Sequence, residues 1–402
     1  MLNLWITVPQ ILTNLWSWGI LILVWRRMVF DRIYKNLEEE FRKNRVLILY
    51  GPRRTGKTTL LTNYLKQCGK KYRLETGENV RVREILGSMD ISLLKEFAEE
   101  YDIVAIDEAQ LIPEIGNALK LLIDQVPDTK FIATGSSSFE LTQKLGEPLT
   151  GRKRTLLLYP LSQKELKSTF TRSELKEKLE EFLLFGTYPE VLSARTKSEK
   201  IEIVRELADS YLLKDILALD KIRSSKTLVH LLKLLAFQIG SQVSLNELAC
   251  QLSVDVKTVG RYLNLLEKSF VIKKISGFSR NLRNEIANKA KYFFIDNGVR
   301  NAVISQFNLL DERDDQGMLF ENFLVSERIK KLTYESFYGN IYFWRTYDGQ
   351  EIDLVEEKDG QINGYEMKWG RKPPKIPKDW LTYYPKAGFE VITRENYLDF
   401  LL

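Results

Sequence analysis

The feature that most constrains this chain is a strand, a glycine-containing loop and a helix that follow one another from residue 46. The apolar run VLILY at 46–50 leads directly into GPRRTGKT at 51–58, and the helical pattern TLLTNYLKQ comes next. Residues 51–58 fit the pattern G-x-x-x-x-G-K-[ST] in the strand-to-helix position that a phosphate-binding loop requires. Glycines let backbone N–H groups curl around phosphate oxygens, and the helix N-terminus adds its dipole. The sequence therefore predicts a site for ATP with Mg²⁺.

The loop residues have separate expected roles. Lys57 would reach the β- and γ-phosphates, and the hydroxyl of Thr58 would bind Mg²⁺. The residues predicted to bind the nucleotide are Gly51, Pro52, Arg53, Arg54, Thr55, Gly56, Lys57, Thr58 and Thr59.

A second apolar strand, IVAID at 103–107, ends in the acidic pair Asp107 and Glu108. An aspartate beside the phosphate-binding loop can hold Mg²⁺ through water, and the neighbouring glutamate can orient and deprotonate the attacking water. The alternative is a solvated strand end. Because apolar residues deliver the pair to the carboxyl edge of the sheet, where ligands bind, we favour ATP hydrolysis.

A third apolar strand, TKFIATG at 129–135, brings serines to the same edge. Ser136 or Ser137 is predicted to polarise the water or the γ-phosphate. A serine-rich turn without catalytic function is the alternative.

The whole chain indicates an α/β protein with more than one domain. Its 402 residues exceed one ordinary core, and 44% apolar with 28% charged residues is typical of a soluble globular protein. Apolar strands that alternate with helices predict a parallel sheet covered on both faces. The expected parts are a hydrophobic extension (1–27), a P-loop ATPase core (28–162) that opens with an amphipathic helix over 28–43, a helical subdomain (163–222), three short helices with a strand pair (223–280) and a mixed α/β domain (281–402).

Composition excludes several classes of site. The single histidine, His230, lies in the apolar run LVHLLKLLAF, so we expect it in a core or groove rather than in a catalytic triad. The two cysteines, Cys68 and Cys250, lack metal-ligand spacing, which argues against a zinc site and fits a reducing compartment such as the cytoplasm. A net charge of +6 permits a nucleic-acid partner without requiring one.

The first 25 residues carry no charged side chain and are followed by Arg26 and Arg27. One interpretation is a membrane anchor, whose basic flank would keep the rest of the chain cytoplasmic. The other is that translation starts at Met28. Because polar residues dilute the first half of the apolar run, we favour the start at Met28.

Several longer segments resemble those of a known family: GPRRTGKTTLL, VAIDEAQ, ATGSSSFEL, LTGRKRTLLLYPLSQKE and FGTYPEVL, then NLRNEI, YFFIDNGVRNA, GMLFENF, FWRTYDGQEIDLVE and YEMKW. They cover nearly all of 28–370 and resemble a family of bacterial and archaeal AAA-type ATPases with a C-terminal domain of unknown function. The resemblance implies an AAA+ core, a winged-helix segment and a C-terminal α/β domain of the restriction-endonuclease-like PD-(D/E)XK fold. Arg152 matches the arginine of the family's L-x-G-R segment, where an arginine finger that completes a neighbouring subunit's site and a structural ion pair are both open.

The segment from 244 to 279 has the order of elements typical of a helix-turn-helix unit. Ser244 and Glu247 predict a capping box at the start of a short helix. A turn leads into VKTVGRYLNLLEKSF, and VIKKISGFS follows as a strand pair. The residues placed to contact phosphates or base edges from the second helix are Lys257, Thr258 and Arg261.

Residues 271–291 add a local excess of positive charge. They contain Lys273, Lys274, Arg280, Arg283, Lys289 and Lys291 against one acid, Glu285. This basic band indicates DNA or RNA as a partner. Packing against protein is an equally weighted alternative.

The C-terminal domain carries the residues of the PD-(D/E)XK nuclease pattern. These are Glu321 on a predicted helix, Asp353 in QEIDLV, and Glu366 with Lys368 in YEMKW. Residues 366 and 368 share one strand face, so the carboxylates could hold Mg²⁺ or Mn²⁺ while Lys368 stabilises phosphate charge. We favour an active metal site over a decayed fold kept as a binding module.

Together these patterns predict an ATP-driven switch that presents nucleic acid to the C-terminal domain. The alternative is an ATP-binding regulatory or scaffold protein whose nuclease-like domain binds partners and cuts nothing. Because AAA-type sites commonly lie between subunits, a homo-oligomer also stays open.

Overall fold

The computed structural model describes residues 30–135, 149–209, 225–279, 289–370 and 375–402. The hydrophobic extension 1–27 and the serines Ser136 and Ser137 lie outside these residues. Within the described ranges, no helix is both long and apolar enough to cross a bilayer.

The ATPase core contains a sheet of five parallel strands in the order β2-β3-β4-β1-β5. The strands are β1 (Val46–Tyr50), β2 (Tyr72–Thr76), β3 (Ile103–Asp107), β4 (Lys130–Gly135) and β5 (Lys153–Leu157). The helices between them are α1 (Lys57–Gln67), α2 (Val80–Gly87), α3 (Ile91–Ala98) and α4 (Ile115–Gln125).

Helices cover both faces of this sheet, as the sequence predicts. In β1, Leu47 and Leu49 pack with Leu61 of α1, whereas Val46 and Ile48 pack with the residues of α2, α3 and α4. Successive side chains of a strand point to opposite faces, so a strand buried on both faces must be apolar throughout. The predicted parallel α/β sheet is confirmed.

The predicted helix over 28–43 is wrong in its described part. Only a 3-10 turn forms there, Leu37–Glu40, with Asn36 as its cap. The preceding residues run without helix past the phosphate-binding loop, where the buried side chain of Arg32 makes three hydrogen bonds. Those contacts with distant residues outweigh local helix preference.

The chain from 163 to 209 is helical, as its Leu, Glu and Lys spacing predicts. The helices are α5 (Gln163–Leu166), α6 (Arg172–Glu177), α7 (Leu179–Phe185), α8 (Pro189–Ser193) and α9 (Lys197–Asp209). Capping boxes at Ser162 and Thr171 satisfy the first backbone N–H groups of α5 and α6.

The next segment runs helix, strand, helix, helix, strand, strand. Its elements are α10 (Ser225–Phe237), β6 (Gln242–Ser244), α11 (Leu245–Leu252), α12 (Val256–Lys268), β7 (Ile272–Gly277) and β8 (Lys289–Phe294). Strand β8 pairs antiparallel with both β6 and β7. His230 is exposed on α10, so its predicted core position is wrong: α10 buries Leu228, Leu231 and Leu232 instead.

The C-terminal part continues the same sheet. It contains α13 (Asn297–Val303), α14 (Gln316–Tyr334), β9 (Asn340–Arg345), β10 (Glu351–Lys358), β11 (Gln361–Met367), α15 (Lys378–Tyr383), β12 (Gly388–Ile392) and α16 (Tyr397–Leu401). Strand β9 pairs parallel with β7, which gives one seven-stranded sheet in the order β12-β11-β10-β9-β7-β8-β6. The boundary expected at residue 280 falls inside this sheet, and a single cluster of buried side chains extends from α5 to α16.

Candidate functional site

The phosphate-binding loop adopts backbone conformations that favour glycine at two positions. Gly51 has φ +148° and a Cβ there would lie 2.1 Å from the carbonyl oxygen of Leu158, while Gly56 has φ +91°. Arg54 also has a positive φ, of 57°. A non-glycine residue in that region costs about 1–3 kcal/mol and tends to occur at functional sites.

Lys57 is folded back against its own loop. Its Nζ donates to the carbonyl oxygens of Gly51 (2.9 Å) and Pro52 (2.7 Å), and the side chain is buried. Burial lowers the pKa of Lys57 to about 8, although the charges of Glu108 and Asp107 act in the opposite direction. Of the other predicted loop residues, Thr55 is buried, whereas Arg53 and Thr59 are exposed.

Asp107, at the end of β3, is hydrogen-bonded both to the phosphate-binding loop and to β4. Its Oδ2 accepts a 2.8 Å hydrogen bond from Thr58 Oγ1, and its Oδ1 accepts one from Thr134 Oγ1. Because β4 lies between β3 and β1, the end of β4 delivers the buried Thr134 to the space between the loop and Asp107. A hydroxyl and a carboxylate side by side form a donor set that suits Mg²⁺ bound with ATP.

Glu108 follows Asp107 in a strained conformation with φ +48°. Its Oε2 accepts a hydrogen bond from Gln110 Nε2. Gly77, at the end of β2, donates its N–H to the carbonyl of Asp107 (2.8 Å), and a Cβ at Gly77 would lie 2.4 Å from the carbonyl oxygen of Glu108. The backbone of Glu108 is therefore held by the neighbouring strand end.

Two arginines tie the loop to the helices that follow the ATPase core. Arg32 donates to the carbonyl oxygens of Thr55 and Tyr159 and pairs with the buried Glu165 at 2.8 Å. Its side chain thus links the loop to Glu165, the third residue of α5 and the glutamate of its capping box.

Arg54 makes the second connection. Its guanidinium lies 2.5 Å from Glu206 of α9 and 3.5 Å from Glu190 of α8. These ion pairs therefore connect the loop directly to helices α8 and α9.

Arg152 forms an ion pair with Asp124 of α4. Both side chains are exposed on the surface of the ATPase core. The sequence left two roles open for Arg152, an arginine finger and a structural ion pair, and this contact corresponds to the ion pair.

The predicted carboxylates of the C-terminal part come from three elements. Glu321 lies on α14, Asp353 on β10 and Glu366 on β11. The β10–β11 register, with Leu354 opposite Tyr365, places Asp353 beside Glu366. A register shift of β9 against β10 between Ile352 and Val355 marks the same point, as bulges near functional sites often do.

A lysine that the motif does not include lies among these carboxylates. Lys291 Nζ is 2.5 Å from Glu351 Oε1, 3.0 Å from Glu321 Oε1 and 3.8 Å from Asp353 Oδ1, and its side chain is 1% exposed. Lys291 is therefore buried and does not add to a basic surface, contrary to its place in the basic band predicted from 271–291. Lys291 lies on β8, which is separated from β10 by β7 and β9 in the sheet, so sequence spacing does not show that it meets the carboxylates.

Two further contacts lie in the cluster, while the buried Oε2 of Glu366 has no hydrogen-bond partner within the part of the chain that the structure describes. Lys368 Nζ lies 2.6 Å from Glu366 Oε1, and Asp353 Oδ2 accepts a 2.8 Å hydrogen bond from the N–H of Met367. Burial, together with the charge of Asp353, raises the pKa of Glu321 to about 8 and that of Glu366 to about 7. Burial alone would lower the pKa of Lys291, but the nearby carboxylates outweigh it and raise that pKa.

The divalent metal that the sequence pattern implies does not fit this arrangement, because an ammonium group already contacts the carboxylates that would hold it. Among the residues that the structure describes, no group of three or more His, Cys, Asp or Glu side chains is arranged to hold a metal ion.

The structure shows fewer exposed side chains on the predicted nucleic-acid surface than the sequence indicates. Lys257 and Arg261 are exposed on α12, but the Thr258 hydroxyl donates to Asp255 at 2.7 Å, and Asp255 caps the helix. Lys273 pairs with Glu267 at 2.9 Å. Arg280, Arg283 and the side chain of Lys289 lie outside what the structure describes.

Three family models match successive parts of the chain. Residues 43–166 match the family described as AAA domain, residues 176–310 match a domain of unknown function (DUF8612), and residues 316–395 match a domain of unknown function (DUF4143). The first match supports an AAA-type ATPase. The C-terminal match assigns no activity to the carboxylate cluster.

Similar proteins span most of the chain. An uncharacterized protein of Methanocaldococcus jannaschii is 25% identical over 90% of this chain and 88% of its own. An uncharacterized protein of Haemophilus influenzae is 26% identical over 79% and 80%, and one of Mycobacterium tuberculosis is 25% identical over 80% and 70%. Among solved structures, a RuvB variant of Thermotoga maritima aligns with 60% of this chain and 88% of its own at 17% identity and a TM-score of 0.32.

Four residues at the ATP site were missed by sequence reasoning: Arg32, Gly77, Gln110 and Thr134. Thr134 has a usable signal, because it is the last polar residue within the third predicted strand, two positions before the predicted Ser136. Arg32 and Gly77 act through contacts with residues far away in sequence, which no local pattern records.

Proposed function

We propose that this protein is a Mg²⁺-dependent ATPase whose hydrolysis is coupled to a nucleic acid contacted by α12. The observation that carries the ATPase is the hydrogen bond from Thr58 of the loop to Asp107, with Glu108 next in sequence. This supports the proposal, because the groups proposed to bind Mg²⁺ and to activate water lie together at one edge of the sheet.

The residues have distinct roles in this proposal. Lys57 would exchange its contacts with two loop carbonyls for the β- and γ-phosphates, and the helix N-terminus would add backbone N–H donors. Thr58 and Asp107 would hold Mg²⁺, which neutralises phosphate charge when bound. Glu108 would accept a proton from the attacking water, while Gln110 orients the carboxylate of Glu108.

Substitution of the proposed base tests the ATPase. We expect Glu108→Gln to retain ATP binding and to lower turnover at least about a hundredfold, because general-base catalysis contributes roughly 10²–10⁴. Glu114→Gln is the matched control, since Glu114 follows the same strand, also has a positive φ, and its side chain accepts a 2.8 Å hydrogen bond from Asn117. Wild-type turnover in Glu108→Gln would remove Glu108 from this role.

Support for the nucleic-acid part comes from the segment 225–294. Its helix–strand–helix–helix–strand–strand order, with β8 between β6 and β7, is the arrangement expected of a winged helix. Lys257 and Arg261 are exposed on α12, the second helix of the α11–α12 pair, and in helix-turn-helix units this second helix enters the major groove. The contacts of Arg32 and Arg54 offer a route by which the loop could move the attached helices.

Stimulation of ATP turnover tests this coupling. We expect single- or double-stranded DNA or RNA to raise turnover, and the effect to weaken as salt rises because phosphate contacts release counterions. The double change Lys257→Glu with Arg261→Glu should abolish stimulation. The control, Lys226→Glu with Lys233→Glu, makes the same charge change at exposed positions of α10 and should not.

The alternative is an ATP-binding regulatory or scaffold protein. Turnover that no nucleic acid alters, in a protein that still hydrolyses ATP, would favour that alternative and leave the ATPase proposal intact.

A further inference from the structure

We infer that Lys291 is a built-in cation that takes the place of a divalent metal in the C-terminal carboxylate cluster, so that this domain does not perform metal-dependent cleavage of nucleic acid. The inference concerns a site separate from the ATPase. It is independent of whether Glu108 acts as a base.

The contacts of Lys291 carry this inference. Its Nζ contacts Glu321 of α14 and Glu351 of β10 at hydrogen-bonding distance and lies 3.8 Å from Asp353. These are carboxylates from two elements that converge on one ammonium group. A divalent ion at the same place would be repelled by the ammonium and would have to displace it.

The other carboxylate of the predicted metal site is also engaged by a cation. Glu366 Oε1 pairs with Lys368, and Glu351 lies 3.4 Å from Arg345 in addition to Lys291. Removal of Lys291 alone would leave Glu321 and Asp353 buried without their cation, which is costly unless another cation replaces it. The cations of this chain thus contact each of the four carboxylates, although the buried Oε2 of Glu366 has no hydrogen-bond partner among the described residues.

Access to the cluster is restricted on the side of the α10–β6 turn. A Cβ at Gly240 would lie 2.9 Å from Glu321 Oε2, so this turn packs directly against the carboxylate. The side chains of Glu321 and Asp353 are only 14% and 10% exposed, whereas Lys368 is 40% exposed. A phosphodiester could reach Lys368 but not the point where Lys291 contacts Glu321.

Lys291 comes from β8, outside the strands that carry the nuclease pattern. In sequence it precedes Glu321 by 30 residues and lies next to a basic stretch. The pairing of β8 with β7, and of β7 with β9, brings it into the cluster. Its raised pKa keeps it protonated, so it serves as a charge rather than as a nucleophile.

Binding of Mn²⁺ to the nucleotide-free full-length protein tests the inference. We expect the wild-type protein and Asp353→Asn to bind Mn²⁺ equally in electron paramagnetic resonance titrations of free Mn²⁺. We also expect equal background cleavage of DNA and RNA with Mn²⁺ by the wild type and Asp353→Ala. Mn²⁺ binding or cleavage that depends on Asp353 in the wild type would overturn the inference.

Replacement of Lys291 by an uncharged side chain of similar length gives the positive test. Lys291→Met should have a lower Tm than the wild type, and Mn²⁺ should raise that Tm by several degrees while leaving the wild-type Tm unchanged. The added change Asp353→Asn should remove the response.

Lys273→Met, which neutralises an exposed ion-paired lysine on β7, is the control and should not respond to Mn²⁺. A folded Lys291→Met that ignores Mn²⁺ would contradict the assignment, and if this variant does not fold, the wild-type titration still decides.

Discussion

At the scale of single residues, the ATP site depends on groups whose properties are set by their surroundings. Lys57 is buried among carbonyl oxygens, and its pKa falls to about 8, close to physiological pH. Glu108 keeps a positive φ because Gly77 leaves room for its carbonyl oxygen. Both effects lead to measurable consequences.

The affinity for ATP should depend on pH. Only protonated Lys57 attracts phosphate, so affinity should be full below pH 8 and fall above it, by up to about tenfold per pH unit once Lys57 is mostly neutral. Titration with a fluorescent ATP analogue between pH 7 and pH 9.5 measures this. Lys57→Arg, which stays charged over the whole range, should bind with little pH dependence. A wild-type affinity that is constant over this range would contradict the role of Lys57.

Gly77 should be required for turnover without contacting ATP. A Cβ 2.4 Å from the carbonyl oxygen of Glu108 must displace that residue, and a shift of about 1 Å can cost about 10²-fold in rate. We expect Gly77→Ala to lower kcat strongly and ATP affinity little. Gly87→Ala is the control, because its added Cβ would meet Pro113 only at 3.7 Å or more. Equal kcat values for the two variants would show that Gly77 does not position Glu108.

At the scale of elements, the backbones of the segment after α7 and of the start of α13 lie in direct contact. Asp296 caps α13 by accepting the N–H of Val299 and also accepts the N–H of Thr187 at 2.8 Å. A Cβ at Gly298 would lie 2.0 Å from the carbonyl oxygen of Phe185. The segments FGTYPEVL and YFFIDNGVRNA are therefore two sides of one contact.

This junction predicts unequal effects of two glycine substitutions. Gly298→Ala should lower the free energy of unfolding by about 1–3 kcal/mol or more, because the backbone of Phe185 has little freedom to move away. Gly317→Ala, on α14 with nothing within 4 Å of the added Cβ, should be neutral or stabilising by up to about 1 kcal/mol. Urea denaturation measures the free energy of unfolding of both variants. Similar values for the two would mean that the backbone at this junction can move to accept the added methyl group.

At the scale of the whole molecule, the chain after the ATPase core forms one structural unit. The seven-stranded sheet and one continuous core connect α5 with α16. Arg32 and Arg54 then connect this unit to the phosphate-binding loop. The separate winged-helix and nuclease-like domains expected from sequence thus share a sheet and a core.

Unfolding should reflect this shared core. Hydrogen exchange by mass spectrometry in increasing urea should show that peptides from 225–279 and from 340–367 lose protection at one urea concentration, because both segments contribute side chains to the same two buried clusters. The strands β1–β5 pack in separate cores on their two faces, so their peptides need not lose protection at the same urea concentration. Distinct midpoints for the two C-terminal segments would contradict a single unit.

The sequence by itself determined the features that lie close together along the chain. The phosphate-binding loop, the acidic pair at 107–108 and the apolar strands that fold into a covered parallel sheet were all predictable, because each depends on neighbouring residues. Tertiary structure alone decided which distant groups meet: Thr134 with Asp107, Arg32 with Glu165, and Lys291 with Glu321. The physical reason is that a carboxylate's function depends on its nearest charges and on its burial, and strand pairing between remote segments sets both. The nuclease pattern therefore drew attention to carboxylates such as Asp353 and Glu366, which lie on paired strands, and could not reveal the lysine among them.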